Sequence, residues 1–321
     1  MDYGYKLVSK AQKQIGKLEM LDWLRYLPLT LSGMLDTTTY VVPKGPYFAK
    51  LRSQNWRIGD SLFHFRAPWS NSTYGSEQHR NVAQSLSSGR NDILNYSLRH
   101  IDEAIMPNHR WQCSAYYYRR WYFMAPWFSG YRARLSMSGM LYGHVKEDFA
   151  GSSFFHPRVF ETAIADFLSS RYGFDKIGRE ARYRGPLNWK IIMISPTIQA
   201  ASFEVFDGQG SEIIKHVVFP VSHDRFVCIS FVGLYQRDIN YDQTPLINLM
   251  ESIIDSFTFE VGPIMQAQWN EVKSYCPDMS LTAQYGELKW PIKPENVGKP
   301  IEPSPKAAKN NVLISSQKKL N

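Results

Sequence analysis

Cysteine is scarce in this 321-residue chain: Cys113, Cys228 and Cys276 are three in all, widely spaced and odd in number. No CxxC pair occurs, which argues against a zinc ribbon or a thioredoxin-type dithiol, and the low count fits a reducing compartment. Cys228 falls in the apolar run Phe226-Val227-Cys228-Ile229, where a thiol serves as a small core side chain. Long hydrophobic runs are missing as well. The stretch from Leu18 to Leu35 is interrupted by Glu19, Asp22 and Arg25 and broken by Pro28. It reads neither as a signal h-region nor as a membrane span, which needs about 18 apolar residues or more. In Leu31-Ser32-Gly33-Met34 a methionine stands where a lipoprotein box requires its cysteine. The expectation is a soluble, cytoplasmic protein with no transmembrane segment.

Catalytic signatures are lacking too. There is no GxxxxGK[ST], and Gly208-Gln209-Gly210 lacks both the third glycine and the strand–helix context of a dinucleotide fingerprint. No GxSxG elbow and no HExxH or HxH appears. His144, Glu147, Asp148 and His156 are residue types that suit zinc, but they follow a strand into a loop and read as solvated. His223-Asp224 lies in a predicted hairpin turn, where adjacent side chains point apart and make no triad. His216, on a predicted strand, reads as an edge or satisfied core histidine. No catalytic residue, metal or cofactor is expected.

What is present is a globular composition, 44% hydrophobic and 21% charged, enough to build a sizeable core. The net charge of +8 is unevenly placed. Residues 291–321 hold six Lys against Glu295 and Glu302, so half the excess sits there, with five Pro and few large apolar side chains. Such a segment buries too little surface to offset its ordering and reads as a disordered basic tail. At the other end, residues 5–27 carry Val8, Ala11, Ile15, Leu18 and Leu21 on one helical face, with Lys6, Lys10, Lys13 and Lys17 among the rest. This is read as an N-terminal amphipathic helix, with a linker to residue 36.

Between the ends, β-branched Thr37–Val42 and alternating Ser61–Phe65 read as strands, and 70–90 as a long loop. Asn91 could cap a helix bearing Leu94, Leu98, Ile101 and Ile105. Strands at Tyr116–Met124 and Tyr131–Tyr142 form an antiparallel hairpin around Pro126–Gly130. Pro157 opens a helix that ends at Gly173. Strands at Trp189–Ile194, Ala200–Phe206, Ile213–Phe219 and Arg225–Gly233 are joined by turn chemistry, and Thr244-Pro245 starts a helix carrying Leu246, Leu249, Met250, Ile253 and Phe257. Turns this short exclude parallel crossovers, so the class is α+β, an antiparallel sheet packed against helices over residues 37–290, with 69–112 as an insertion.

From Pro157 to Glu260 the order is helix, four strands, helix. It closes on Val217-Val218-Phe219-Pro220, Asp224-Arg225-Phe226-Val227-Cys228-Ile229-Ser230-Phe231 and Ile253-Ile254-Asp255-Ser256-Phe257. This resembles the end of PsbP-like domains, the group that includes DcrB-type lipoproteins and the effector chaperones of bacterial type VI secretion. The resemblance implies an α/β/α sandwich and a protein-binding role, and it carries over no functional residue.

The densest constellation is Arg119, Arg120, Arg132 and Arg134 among Trp121, Trp127 and neighbouring tyrosines; residues 110–134 hold five Arg and no acid. Guanidinium groups and aromatic rings are enriched in protein-interface hot spots, and they also bind single-stranded nucleic acid. Alternation puts Arg132 and Arg134 opposite Ala133 and Leu135, with Arg119 expected beside them across the hairpin. The sequence thus suggests a non-enzymatic bacterial protein-binding module with an acidic partner. Nucleic acid or an anionic surface, and an enzyme of unrecognised type, are the alternatives.

Overall fold

A computed structural model describes residues 51–68, 88–101, 110–124, 131–145, 149, 151–210, 212–235 and 243–292. The N-terminal helix, the strand at Thr37–Val42, the hairpin turn with Trp127, and the tail beyond residue 292 lie outside them. The strands are β1 (Arg52–Ile58), β2 (Ser61–Ala67), β3 (Ser88–Asp92), β4 (Arg99–His100), β5 (Trp111–Met124), β6 (Tyr131–His144), β7 (Lys176–Ile177), β8 (Glu180–Ala181), β9 (Tyr183–Met193), β10 (Gln199–Asp207), β11 (Glu212–Pro220), β12 (Arg225–Tyr235) and β13 (Thr258–Glu260). The helices are α1 (Pro157–Tyr172), α2 (Thr244–Ile254) and α3 (Pro263–Tyr275).

A seven-stranded antiparallel sheet, ordered β4-β5-β6-β12-β11-β10-β9, forms the centre. Alternation along β11 and β12 explains why both read as continuous apolar runs. Val217, Phe219, Val227, Ile229 and Phe231 bury on one face, Val218, Phe226 and Cys228 on the other. The first face carries a four-stranded sheet, β13-β2-β1-β3, together with α2 and α3. The second carries α1, which seats Phe160, Ala163, Ile164, Phe167 and Leu168. The class is α+β, and its sheets are antiparallel except where β3 runs parallel to β1.

Trp56 anchors the contact between the sheets. Its ring packs against Phe63, Phe65, Tyr116 and Tyr117 with centroids 4.7–5.3 Å apart, the offset and edge-on geometry aromatic quadrupoles favour. The tight β1–β2 turn uses Gly59 at φ 63°, a left-handed conformation that glycine adopts without steric cost. The same turn clips α3: Asp60 Oδ2 accepts the Ile264 N–H at 2.6 Å, and Ser61 Oγ accepts the Gly262 N–H at 2.9 Å. Two of the helix's unpaired N-terminal donors are thereby satisfied by a distant turn.

The helix expected from Asn91 is not formed over 91–101. Asp92 Oδ1 accepts from both Leu94 and Gly59 and starts only a 3-10 turn over Ile93–Asn95, and the chain then pairs with β5 as β4. The apolar spacing that suggested a helix splits between layers: Ile93, Leu94 and Leu98 pack on the small-sheet side, and Ile101 on the α1 side. Ile105 lies outside the described residues.

After α3, residues 276–292 follow no regular secondary structure yet dock closely on α1 and β9. Buried Glu161 accepts the Thr282 N–H and pairs with Arg158, which also bonds the Thr282 hydroxyl. Trp189 Nε1 donates to Thr282 O, Leu288 N–H to Gly185 O, and Ile292 N–H to Gly173 O. This strap stacks Tyr285 on Trp189 and reaches Ile292, so Pro291 and Ile292 belong to the packed structure.

Candidate functional site

The β5–β6 hairpin divides the sequence-predicted residues between two faces. Tyr117, Arg119, Trp121 and Phe123 turn to the core with Leu135 and Met137, while Tyr118, Arg120 and Tyr122 lie on the other face, beside Ser138, Ser136 and Arg134 in register. Arg119 is only 3% exposed, donating to Pro68 O at 3.1 Å and to Gln54 Oε1 at 3.0 Å. Trp121 is fully buried, and its Nε1 also donates to Pro68 O. These two therefore stand apart from Arg134, contrary to the expected grouping. The cause is the bulge between Ala115 and Tyr117, which resets which residues face inward. Arg132 lies on β6, with its side chain undescribed.

Arg120 is held between two phenols. Its Nε donates to Tyr118 Oη at 2.9 Å, its Nη1 to Tyr122 Oη at 3.4 Å, and its carbon lies 5.2 Å from the Tyr118 ring centroid. Residues two apart on a strand share a face, so the alternation Tyr-x-Arg-x-Tyr builds this clamp directly. The two phenols fix the position of the guanidinium, which lowers the ordering cost of a further interaction. Tyr118, Arg120 and Arg134 are half-buried, and Tyr122 is 4% exposed.

On the α1 side of the central sheet, His216, Cys228, Ser230 and Tyr172 converge. His216 Nε2 lies 2.8 Å from Tyr172 Oη and its Nδ1 lies 2.8 Å from Ser230 Oγ, with Cys228 Sγ 3.6 Å away. The cluster has the residue types of a Cys–His nucleophile but the opposite electrostatics. Burial pushes the imidazole down to about 3, with Arg171 adding to the effect. Burial likewise pushes the thiol up to about 12, against a lowering bond from Ser230. A nucleophilic cysteine needs a lowered pKa and access, so this network is built for packing, as read for Cys228 and His216.

The remaining histidines separate. His223 Nδ1 contacts Ser153 Oγ at 2.8 Å while Asp224 accepts from Ser222, so the adjacent pair is pulled apart. His144 lies 3.8 Å from Asp166, which is fixed by Arg110 and Trp111, and His156 stacks on Tyr275. Glu147 and Asp148 lie outside the described residues. Among the described residues no three His, Cys, Asp or Glu gather as a metal site. No described helix is long and apolar enough to cross a membrane.

A groove of about 650 Å³ opens on the outer face of the small sheet, lined by Leu51, Ser53, Asn55, His64, Phe65, Arg66, Ser252, Asp255, Ser256 and Thr258. His64 is fixed there, its Nδ1 2.9 Å from Asn55 Oδ1 and its Nε2 3.2 Å from Glu260 Oε1. The sequence reading missed this groove because β1, which supplies one wall, was not recognised; the alternation of buried Gln54, Trp56 and Ile58 was its available signal. Compared with family models, curated proteins and solved structures, the chain matches none.

Proposed function

We propose that the protein is a non-enzymatic binding module of a bacterial cytoplasm, of the chaperone, adaptor or immunity kind, that offers the outer face of the β5–β6 hairpin to an acidic protein surface. The observation that carries this reading is Arg120 held between Tyr118 and Tyr122, with Arg134 across from Tyr122. Planar guanidinium forks match carboxylates in two-bond geometry, and Arg beside Tyr is typical of interface hot spots. A PsbP-like sandwich is part of the same proposal, supported by an antiparallel sheet with helices on both faces.

Single-stranded nucleic acid is the second reading. Burial of Trp121 and Tyr122 weighs against it, because base stacking needs an exposed ring face. The test compares the full chain with its Arg120→Ser, Arg134→Ser double variant, using a polyglutamate peptide and oligothymidine as fluorescent probes. Binding of the acidic peptide, weakened about tenfold or more in the variant with its fold retained, supports the proposal. Oligothymidine binding alone, falling steeply with salt, would transfer the face to nucleic acid. Equal binding by both proteins would remove the face as a site.

A further inference from the structure

The groove on the small sheet is a different surface from the hairpin face, and its chemistry is more selective. Its volume, about 650 Å³, lies within the roughly 300–1,000 Å³ of small-molecule sites. Three strands and one helix end build it. Ser53 and Asn55 come from β1, His64 and Arg66 from β2, Thr258 from β13, and Ser252, Asp255 and Ser256 from the end of α2 and the turn after it.

Several of these groups are already engaged. His64 Nδ1 lies 2.9 Å from Asn55 Oδ1 and its Nε2 3.2 Å from Glu260 Oε1, so the ring forms a positioned wall of the groove. Ser256 Oγ accepts the Arg66 N–H at 2.8 Å and donates to Ile253 O at 2.6 Å, locking β2 to the end of α2. The Arg66 guanidinium and the Asp255 carboxylate are different. Both side chains are exposed and line the same groove, and neither forms an ion pair with the other or with any other described residue. Opposite charges that line one cavity without pairing with each other are complementary to a ligand carrying both signs.

We propose that this groove binds a small zwitterion, an α-amino acid or dipeptide, with its carboxylate on Arg66 and its ammonium on Asp255. A phosphate would satisfy Arg66 and be repelled by Asp255, and a simple cation would meet the reverse. A neutral sugar would leave both charges without a counter-charge. Charge-assisted bonds are roughly twice as strong as neutral ones, and the guanidinium fork fits a carboxylate. Ser53, Ser252 and Thr258 add neutral hydrogen-bonding groups to the same lining, and Leu51 supplies an apolar part of the wall.

Calorimetric titration of the full chain tests this with alanyl-leucine, its N-acetyl derivative and its C-terminal amide, and with inorganic phosphate and maltose as controls. Saturable binding of alanyl-leucine is expected, weakened about tenfold or more by blocking either end. Arg66→Gln should bind the free peptide no better than wild type binds the amide, and Asp255→Asn no better than wild type binds the acetylated form. If a variant loses its fold, the blocked peptides on the wild-type protein still decide. Equal affinity for free and blocked peptides overturns the proposal. So does binding of phosphate or maltose without the peptide, or no saturable peptide binding in the millimolar range.

Discussion

His216 sits 2.8 Å from both Tyr172 Oη and Ser230 Oγ and is 3% exposed. Its pKa falls from 6.5 to about 3 on folding. Between those values the unfolded chain binds the extra proton and the folded one does not, so stability drops as pH falls from about 6.5 toward 3. The slope from this residue is at most about 1.4 kcal/mol per pH unit, and above pH 6.5 its contribution is constant. Urea midpoints measured across this interval should fall less steeply for His216→Gln than for wild type; coincident slopes would show that His216 is not held neutral. Gly139 makes a second residue-scale prediction. A Cβ there would lie 2.7 Å from Tyr116 Cε2 and 3.0 Å from Trp56 Cη2, both rings being buried. Gly139→Ala should cost about 1–3 kcal/mol by overpacking, read from denaturant unfolding. An unchanged midpoint would mean that the rings can move aside.

Elements differ in how much of their placement is local. α1 begins at Pro157 and ends against Gly173 as its punctuation indicates, and β10, β11, β12 and α2 lie close to their expected bounds. α3 escaped notice although Pro263 opens it and Met265, Trp269 and Val272 recur on its buried face. The strap over 276–292 had no periodicity to read, because its order comes from partners on α1 and β9 rather than from its own hydrogen bonds. Glu161→Ala should therefore free the strap selectively. Limited proteolysis within residues 276–292 is expected to accelerate, while amide exchange in β11 and β12 stays as slow as in wild type. Faster exchange throughout would instead make Glu161 a support of the whole core.

At the scale of the molecule, two apolar layers share one sheet. β11 and β12 each send alternate side chains into both cores, so neither layer can open without exposing strands that the other needs. Near-ultraviolet and far-ultraviolet circular dichroism should report coincident urea transitions. A first step that releases the small sheet with α2 and α3, leaving α1 docked, would show that the layers are energetically separate. The two proposed surfaces lie on different sheets, which lets the variants of one serve as controls for the other.

The antiparallel α+β class and the position of α1 were determined by the chain itself, because short polar turns and helical or alternating apolar spacing are local properties. The arginine constellation was visible, but its division was not. In Tyr116–Phe123 nearly every side chain can be buried or half-buried, so alternation alone does not say which residues face inward. The bulge after Ala115 and the acceptors at Pro68 and Gln54 decide that Arg119 enters the core while Arg120 stays between its tyrosines. The groove depended wholly on tertiary structure. Arg66 and Asp255 lie 189 positions apart in the chain, and only the packing of α2 beside β2 brings them to one cavity.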